Sequence, residues 1–492
     1  MRAMLCTLTL FTLGRVWVGA ALADPLDVEA DDRRQELARD ARDLGGDVIL
    51  GAYLSDPWLG QRLVPGFPGS GVIDWQPRLR IRPALHLSIG DGVPDNNGGE
   101  EEPGLLTPAL GVQLAGIAGP FELRATPFIR GGFAPGLAPA ADVKNLWAGA
   151  RLRGWTLGFG REDRWFGPGR HTSLTLSDNA VPPWMGGFSG DGHLPGFLSK
   201  LGRFRTELDL GWLAEPRGDV QNPGFLLFDA RWLPAPVLEL GVTRMTLYGG
   251  ADRPPVNVGQ LLLPTEPHVY DDPDLTLADQ NELVAIDVRV NLPFQKWLPN
   301  LPIDHVEAYW QYGGEDVIAR ELGPIPYPSL AGVANLYGGE IAAGPVTVNV
   351  EYNKLMDDTF RWYVGHRVYH EGFTQNGRAM GAAAGTDSET IWGRVGVSAP
   401  YTWRAAAWAD STHRIGVIES RNAKVFTLGT QEYRWRVGLE GAGRTPTVAK
   451  GAGWLSGGYT LQHIAGEDFA PGPSRFTHRV WVGWSLEFSV PG

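Results

Sequence analysis

The stretch RFRTELDLGWL, residues 203–213, alternates strictly between apolar and charged side chains over most of its length. Phe204, Thr206, Leu208, Leu210 and Trp212 fall on one side of an extended chain. Arg203, Arg205, Glu207 and Asp209 fall on the other, because successive side chains of a strand point to opposite faces. The pattern returns in LVAIDVRVNL (283–292), where Val284, Ile286, Val288, Val290 and Leu292 oppose Asp287, Arg289 and Asn291. VTVNVEYN (346–353) sets Val346, Val348, Val350 and Tyr352 against Thr347, Asn349 and Glu351, and HRVWVGWSLEFSV (478–490) puts Val480, Val482, Trp484, Leu486, Phe488 and Val490 on one face. A soluble sandwich also alternates. What distinguishes these runs is a length of about 9 to 11 residues, their aromatic content and their spread from Arg78 to the C-terminus. The combination predicts an all-β fold, a large transmembrane antiparallel β-barrel with a polar lumen and a lipid-facing exterior, since only a closed sheet pairs every backbone group in a bilayer. Trp212, Tyr248, Trp310, Tyr312 and Trp484, near strand ends, suit interfacial aromatic girdles.

The N-terminus reads as an export signal over residues 1–23: Arg2, an apolar stretch from Met4 to Leu13, and Ala21-Leu22-Ala23 before Asp24. The single cysteine, Cys6, lies inside it without a lipobox, so the exported chain is cysteine-free, as suits a bacterial envelope protein. Residues 24–50, charged and helix-prone from Pro25 to Gly45-Gly46, read as a short periplasmic helical segment, and 51–492 as one barrel. Beyond the signal there is no apolar run of about 18 residues, so a transmembrane helix is excluded. The composition, with 66 Gly, 38 Pro and 19 Trp, is that of an aromatic, turn-rich chain. A net charge of −12, more acidic still once Arg2 and Arg15 leave with the signal, argues against nucleic acid as a partner. The Gly-, Pro- and Asp-rich segments 91–104, 249–280 and 323–332 are expected as long connections on the outer face, opposite short periplasmic turns.

Enzyme motifs are missing: there is no Gly-x-Ser-x-Gly elbow, no phosphate-binding loop, no His-Glu-x-x-His and no cysteine pair. The chain therefore reads as a non-enzyme without a cofactor or metal centre. His366 and His370, with Glu371, come nearest to a metal-ligand spacing if they share a strand face, but read better as polar lumen or rim residues. Glu100, Glu101 and Glu102, and Asp271, Asp272 and Asp274, offer oxygen ligands for a divalent cation, yet read first as solvated loops.

One stretch does not fit a strand: GREDRWFGPGRHTSLTLSDNA, residues 160–180. It sets arginines around Trp165, Phe166 and a Gly-Pro-Gly turn, then returns with Ser177, Asp178 and Asn179. Aromatic faces stack on sugar rings, Asp and Asn bond hydroxyls, and Arg takes acidic sugars bidentately, so the mixture suits polysaccharide. The alternative is an inward arginine and carboxylate network that holds a polar lumen; the residue types alone leave both open.

DRWFGPGRHTSLTLSDNAVP (163–182) resembles the hallmark of the Wzi-type capsule-assembly outer-membrane proteins, a Trp-rich Gly-Pro-Gly turn followed by Ser-Leu-x-Leu-Ser-x-Asn-Ala-x-Pro. PVLELGVTRMTLYGG (236–250), NELVAIDVRVNLP (281–293) and WQYGGED (310–316), then VEYNK (350–354) and YVGHRVYHEGFTQNGRAMGAAAGTDSE (363–389), follow in the family's order. The resemblance implies an outer-membrane barrel of about 18 strands with a small periplasmic helical part, closed by inward-folded loops. It also implies a lectin-like, non-catalytic role in binding and organising capsular or extracellular polysaccharide at the cell surface, among outer-membrane lipid and lipopolysaccharide. A porin or transport channel of the same fold is the alternative. Carried over by position, the residues implied for polysaccharide binding or for a lumen network are Arg164, Trp165, Gly167, Gly169, Arg170, Ser177 and Asn179, then Glu315 and Asp316 in a Gly-Glu-Asp turn, then Arg378 and Asp387. No metal ligand is implied, and the oligomeric state is left open.

Overall fold

The structure, a computed structural model, describes residues 78–90, 106–131, 140–152, 155–162, 164–193, 196–235, 237–254, 256, 261, 280–292, 294–298, 300–322, 325–355, 362–366, 368–399, 403–419, 426–448, 451–469 and 472–491. The signal read at 1–23, the helical segment at 24–50 and the acidic clusters at 100–102 and 271–274 lie outside the described residues.

Eighteen strands form one antiparallel sheet. In chain order they are β1 (Arg78–Gly90), β2 (Leu106–Ala118), β3 (Phe121–Arg130), β4 (Ala140–Leu152), β5 (Trp155–Arg161), β6 (Trp184–His193), β7 (Arg203–Trp212), β8 (Gly224–Ala235) and β9 (Leu238–Tyr248). The ring continues with β10 (Asn281–Leu292), β11 (His305–Leu322), β12 (Ile325–Ala343), β13 (Val346–Lys354), β16 (Ser388–Ala399), β17 (Trp403–Glu419), β18 (Phe426–Val448), β19 (Gly451–Ala465) and β20 (Arg475–Pro491). Two further short strands, β14 (Thr374–Gln375) and β15 (Arg378–Ala379), make a separate hairpin between β13 and β16. Each barrel strand pairs with its neighbours in sequence, and the ring closes where β1 meets β20, from Arg78 opposite Pro491 to Gly90 opposite Arg479. Closure leaves no edge strand, which is what a sheet in lipid requires. Among the described residues no helix is long and apolar enough to cross a membrane; the crossing is made by strands.

The alternation read from the sequence sets the two faces. On β7, Arg205, Glu207 and Asp209 are buried inward, while Leu210 and Trp212 are exposed on the outer surface. β10 buries Asp287 and Arg289 and exposes Ile286, and β13 buries Asn349 and Glu351 and exposes Val348 and Val350. The exposed outer face is largely apolar, with Leu157 at 64% and Leu439 at 62% among its most open side chains. In water such a belt would be far larger than the apolar patches that soluble proteins carry; in a bilayer it is the matched surface. Of the residues expected in girdles, Trp212 and Tyr248 end their strands, Trp310 and Tyr312 sit within the long β11, and Trp484 lies well inside β20.

Two connection types define the two ends. At one end the links are tight, such as Gly119-Pro120 between β2 and β3 and Gly344-Pro345 between β12 and β13. At the other end the chain between β5 and β6, β7 and β8, β9 and β10, and β13 and β16 is longer. The long end is the outer one, by the usual asymmetry of such barrels. One expected connection is a strand instead: Pro326 and Pro328 of segment 323–332 belong to β12, opposite Glu321 and Ala319 of β11. Pairing of β12 with β13 begins only at Asn335, so up to that point β12 has a partner on one side alone. A proline whose amide position faces the unpartnered side forfeits no ladder bond.

Candidate functional site

The charged aromatic stretch at 160–180 leaves the wall after β5 and folds into the barrel. Its alternation is broken by Gly167-Pro168-Gly169 and stopped by Pro182-Pro183, so it cannot join the ladder. Instead it forms a plug with the segments 213–223, 249–256 and 362–387. The first, second and last of these pieces share one apolar cluster, in which Phe166, Leu174 and Leu176 pack with Leu213, Tyr363, Tyr369, Phe373 and Met380 against the inward-facing Phe225, Met245, Leu283 and Leu336 of the wall. Backbone bonds knit them: Phe166 N–H donates to Leu176 O at 2.9 Å, Ser177 N–H to Met380 O at 2.8 Å, and Ala251 N–H to Gln221 O at 2.9 Å. Tyr363, fully buried with a left-handed backbone (φ 70°), donates its hydroxyl proton to Leu174 O at 3.0 Å while its oxygen accepts Ala382 N–H at 2.7 Å.

Ion pairs fasten the plug to the wall. Arg164 lies between Glu207, at 2.6 Å, and Asp209, both inward on β7. Arg170 reaches Glu307 of β11 at 2.9 Å and Glu340 of β12 at 3.7 Å. The turn after it is held by a single carboxylate: Glu351 of β13 accepts the amide N–H of Arg170, of His171 at 3.0 Å and of Thr172 at 2.9 Å, and also the Tyr309 hydroxyl at 2.6 Å. Arg289 of β10 donates to Pro168 O at 3.3 Å, and Gln311 of β11 accepts Leu174 N–H at 3.0 Å. Behind these, Arg231 pairs with Asp287 at 2.7 Å and with Glu239 at 3.2 Å. Buried charges are tolerated only when paired and hydrogen-bonded, so this lattice fixes where the plug sits more than it stabilises the barrel.

Each residue singled out from the sequence has a definite place. Arg164, Arg170, Ser177 and Asn179 are buried in the plug, and Trp165 is half-buried against its apolar cluster. Gly169 is needed for a close approach: a Cβ there would stand 1.9 Å from Thr172 O. Gly167 has φ +118°, and a Cβ would meet the Gln311 side chain at 2.6 Å. Ser177 Oγ–H donates to Gly381 O at 2.6 Å. Asn179 donates to Ala379 O at 2.9 Å and accepts Arg378 Nη2–H at 2.9 Å, which joins the first and third groups of residues. Asp387 is buried just before β16, where its carbonyl accepts Ile415 N–H at 3.0 Å. Glu315 and Asp316 do not form a turn. They lie within β11, Asp316 opposite Ala331, because the strand runs on to Leu322 past the point where the plug begins. His366 and His370 do not share a strand face either: His366 Nδ1 accepts the N–H of Val368 at 3.2 Å within the plug loop. Among the described residues no group of three His, Cys, Asp or Glu side chains is placed to hold a metal ion.

The residues not singled out are the wall's own anchors, Glu207, Asp209, Glu307, Gln311 and Glu351. Their signal was present, since each occupies an inward parity position in a strand, but no local motif marks them. A second clasp was also unread. Arg217, fully buried, bonds Glu215 at 3.0 Å and Asp219 at 2.9 Å and donates to Gly372 O at 3.0 Å and Thr374 O at 2.9 Å, tying segment 213–223 to 371–376. Burial, reinforced by Glu371 and Asp219 and opposed by Arg217, pushes the Glu215 carboxyl up to about 7. Burial works the same way on Asp219, but the Arg217 hydrogen bonds and the amides of Glu371 and Val220 outweigh it and hold that carboxyl below its usual range.

A closed sheet with a lipid-matched exterior and a lumen that holds an ion-anchored plug defines an outer-membrane β-barrel. The chain belongs to the capsule assembly protein Wzi family, whose model matches residues 139–397. That span runs from the start of β4 into β16 and takes in every plug segment. Among solved structures the chain is similar to Wzi of Escherichia coli, described as an outer membrane protein involved in group 1 capsule assembly and a carbohydrate-binding β-barrel, with 18% identity over 84% of each chain and a TM-score of 0.59. It is also similar in fold to OccK2 (OpdF) of Pseudomonas aeruginosa, with 10% identity over 85% of this chain and 100% of that one and a TM-score of 0.50. Comparison with curated protein sequences returns no match.

Proposed function

We propose that this protein binds capsular or extracellular polysaccharide and organises it at the outer face of the outer membrane, without catalysing a reaction on it. The observation that carries the reading is the coincidence of the capsule-assembly family match with the plug. The part of the chain that resembles the family is the part that converts a barrel into a closed platform. In this reading Arg164, Trp165, Gly167, Gly169, Arg170, Ser177, Asn179, Glu315, Asp316 and Asp387 keep the platform in place. Sugar then meets its outward side near the 374–379 hairpin, where Asn376 and Gly377 are exposed and Arg378 is half-exposed. Amide and guanidinium groups there suit hydroxyls and acidic sugars. Lipopolysaccharide and outer-membrane lipid are the proposed surroundings, and a cleaved signal peptide the proposed route of export.

The test is the distribution of polysaccharide between cells and medium in a strain lacking the protein, together with planar-bilayer conductance of the purified barrel. Polysaccharide released to the medium, with no steady conductance, is the expected result. Normal retention with a steady open channel would overturn the reading and make the protein a pore.

A further inference from the structure

The outer surface of β17–β20 carries a feature that the capsule reading does not use. At the outer ends of these strands, three histidines face away from the lumen and are joined by ring contacts to exposed aromatics. His413 stacks on Tyr433 with centroids 4.5 Å apart and planes 4° from parallel. His463 lies between Trp435, at 5.6 Å, and Phe476, at 4.7 Å. His478 accepts or donates a hydrogen bond of 2.7 Å with the Tyr459 hydroxyl. The aromatic members are open, Phe476 at 58% and Tyr433 at 51%.

Three polar rings on the lipid side of a barrel are tolerated only at headgroup level, where one part of the surface is apolar and the next is wet. The patch is continuous below with the apolar belt through Val437, Leu439, Val480 and Val482. It lies at the end where the long connections emerge, so it meets the outer leaflet. The rim on β5–β7 differs. There Phe159 stacks with Trp184 and Trp212 beside Arg161, and that cation is taken up by Asp142 at 2.6 Å. On β17–β20 His463 faces Trp435 and Phe476 and His478 faces the Tyr459 hydroxyl, whereas His413, besides Tyr433 and Gln431, stands opposite Glu389 of β16, whose carboxylate accepts the Tyr352 hydroxyl. Arg475 pairs with Glu467 at the top of that wall.

We infer that this patch is a binding site for a phosphorylated glycolipid of the outer leaflet: the rings stack on sugar faces, the N–H groups of His463 and His478 donate to phosphate, and the apolar belt below receives the acyl chains. The inference rests on the membrane reading of the fold and is independent of whether polysaccharide is bound at the plug.

The experiment is native mass spectrometry of the full-length barrel, refolded without lipopolysaccharide and titrated with bis-phosphorylated lipid A, its dephosphorylated form, or phosphatidylglycerol. The variants are His413→Gln/His463→Gln/His478→Gln and, as a control on the opposite rim, Phe159→Leu/Trp212→Leu. Heat-modifiable gel migration reports folding of each. Lipid A is expected to bind the wild-type and control barrels, roughly tenfold more weakly when dephosphorylated or when the three histidines are replaced. If the triple variant folds poorly, His463→Gln alone is titrated with the same expectation of weaker binding. Equal affinity of a folded histidine variant, equal affinity for phosphatidylglycerol, or a dimer that needs the patch would each overturn the inference.

Discussion

Thr172, in the middle of the plug, donates its amide N–H to the carboxylate of Glu351 on the barrel wall at 2.9 Å. The same carboxylate serves the two preceding amides and the Tyr309 hydroxyl, so one side chain closes four donors. Amide donors in a row around an anion resemble the concavities that bind phosphate, here occupied by the protein itself.

Glu351→Gln removes the charge and turns half of the acceptor into a donor facing amide protons. The plug turn is expected to lose about 2–3 kcal/mol of local stability, in the range of charge-assisted hydrogen bonds. The barrel should still form, since the substitution leaves the β13 ladder intact. Limited proteolysis measures the first effect as faster cleavage within 164–183, and heat-modifiable gel migration checks the second.

Arg164→Met leaves Glu207 and Asp209 facing each other without their shared cation. Removing one partner of a buried pair costs about 3–5 kcal/mol. The double variant Arg164→Met/Asp209→Asn should recover part of the loss, because Glu207 still has Arg205 at 3.3 Å. Unfolding midpoints in urea for the two single variants and the double test this. Additive losses would mean that the residues do not act as a pair.

These anchors mark where sequence reading stops. Period-two alternation places Asp287, Arg289 and Glu351 on the lumen side of β10 and β13, because parity is a local property. Which lumen side chain meets which plug residue is not local: Thr172 and Glu351 are separated by 179 positions. Composition left 160–180 divided between sugar and lumen chemistry, and burial of Arg164 and Arg170 in wall ion pairs puts those two side chains to internal use. Pro326 and Pro328 misled for a physical reason, since a proline argues against a strand only where both neighbours require its amide. The family resemblance implied a turn at Glu315 and Asp316, yet the β11 ladder continues through them.

The Arg217 clasp should respond to pH. The Glu215 carboxyl is raised in the folded protein to about 7. Its contribution to stability is therefore full below the ordinary carboxylate range and is lost as pH rises through about 7. Asp219 has the opposite sign: its folded value is lowered, so its contribution is present at neutral pH and lost only as pH falls below the usual aspartate range. Of these two carboxyls only Glu215 changes between pH 5 and pH 8, and segments 213–223 and 371–376 are expected to become more protease-sensitive at the higher pH (on the order of a few-fold). Glu215→Gln should flatten this profile while leaving the barrel folded. A profile unchanged by the substitution would assign the sensitivity to another group.

The membrane reading of the outer face is open to a direct energetic test. Leu157, on the short strand β5, is the most open of the large apolar side chains on the strands, at 64%. Leu157 is the third residue of β5 after the short turn from β4, so if that face meets hydrocarbon Leu157→Arg should destabilise insertion by an amount between the ~1 kcal/mol of the interface and the ~2–4 kcal/mol of the midplane. The same change on a water-facing sheet would stay within roughly 0.5 kcal/mol. Phe197, at 81% exposure, lies in the helical turn Gly196–Leu201 between β6 and β7, at the short-turn end. Phe197→Arg is therefore expected to shift insertion by no more than about 1 kcal/mol, as at an interface. Reversible folding into lipid vesicles, followed by tryptophan fluorescence, gives both values. A cost for Leu157→Arg no larger than for Phe197→Arg would place β5 outside the hydrocarbon and break the orientation on which the plug's outward face depends.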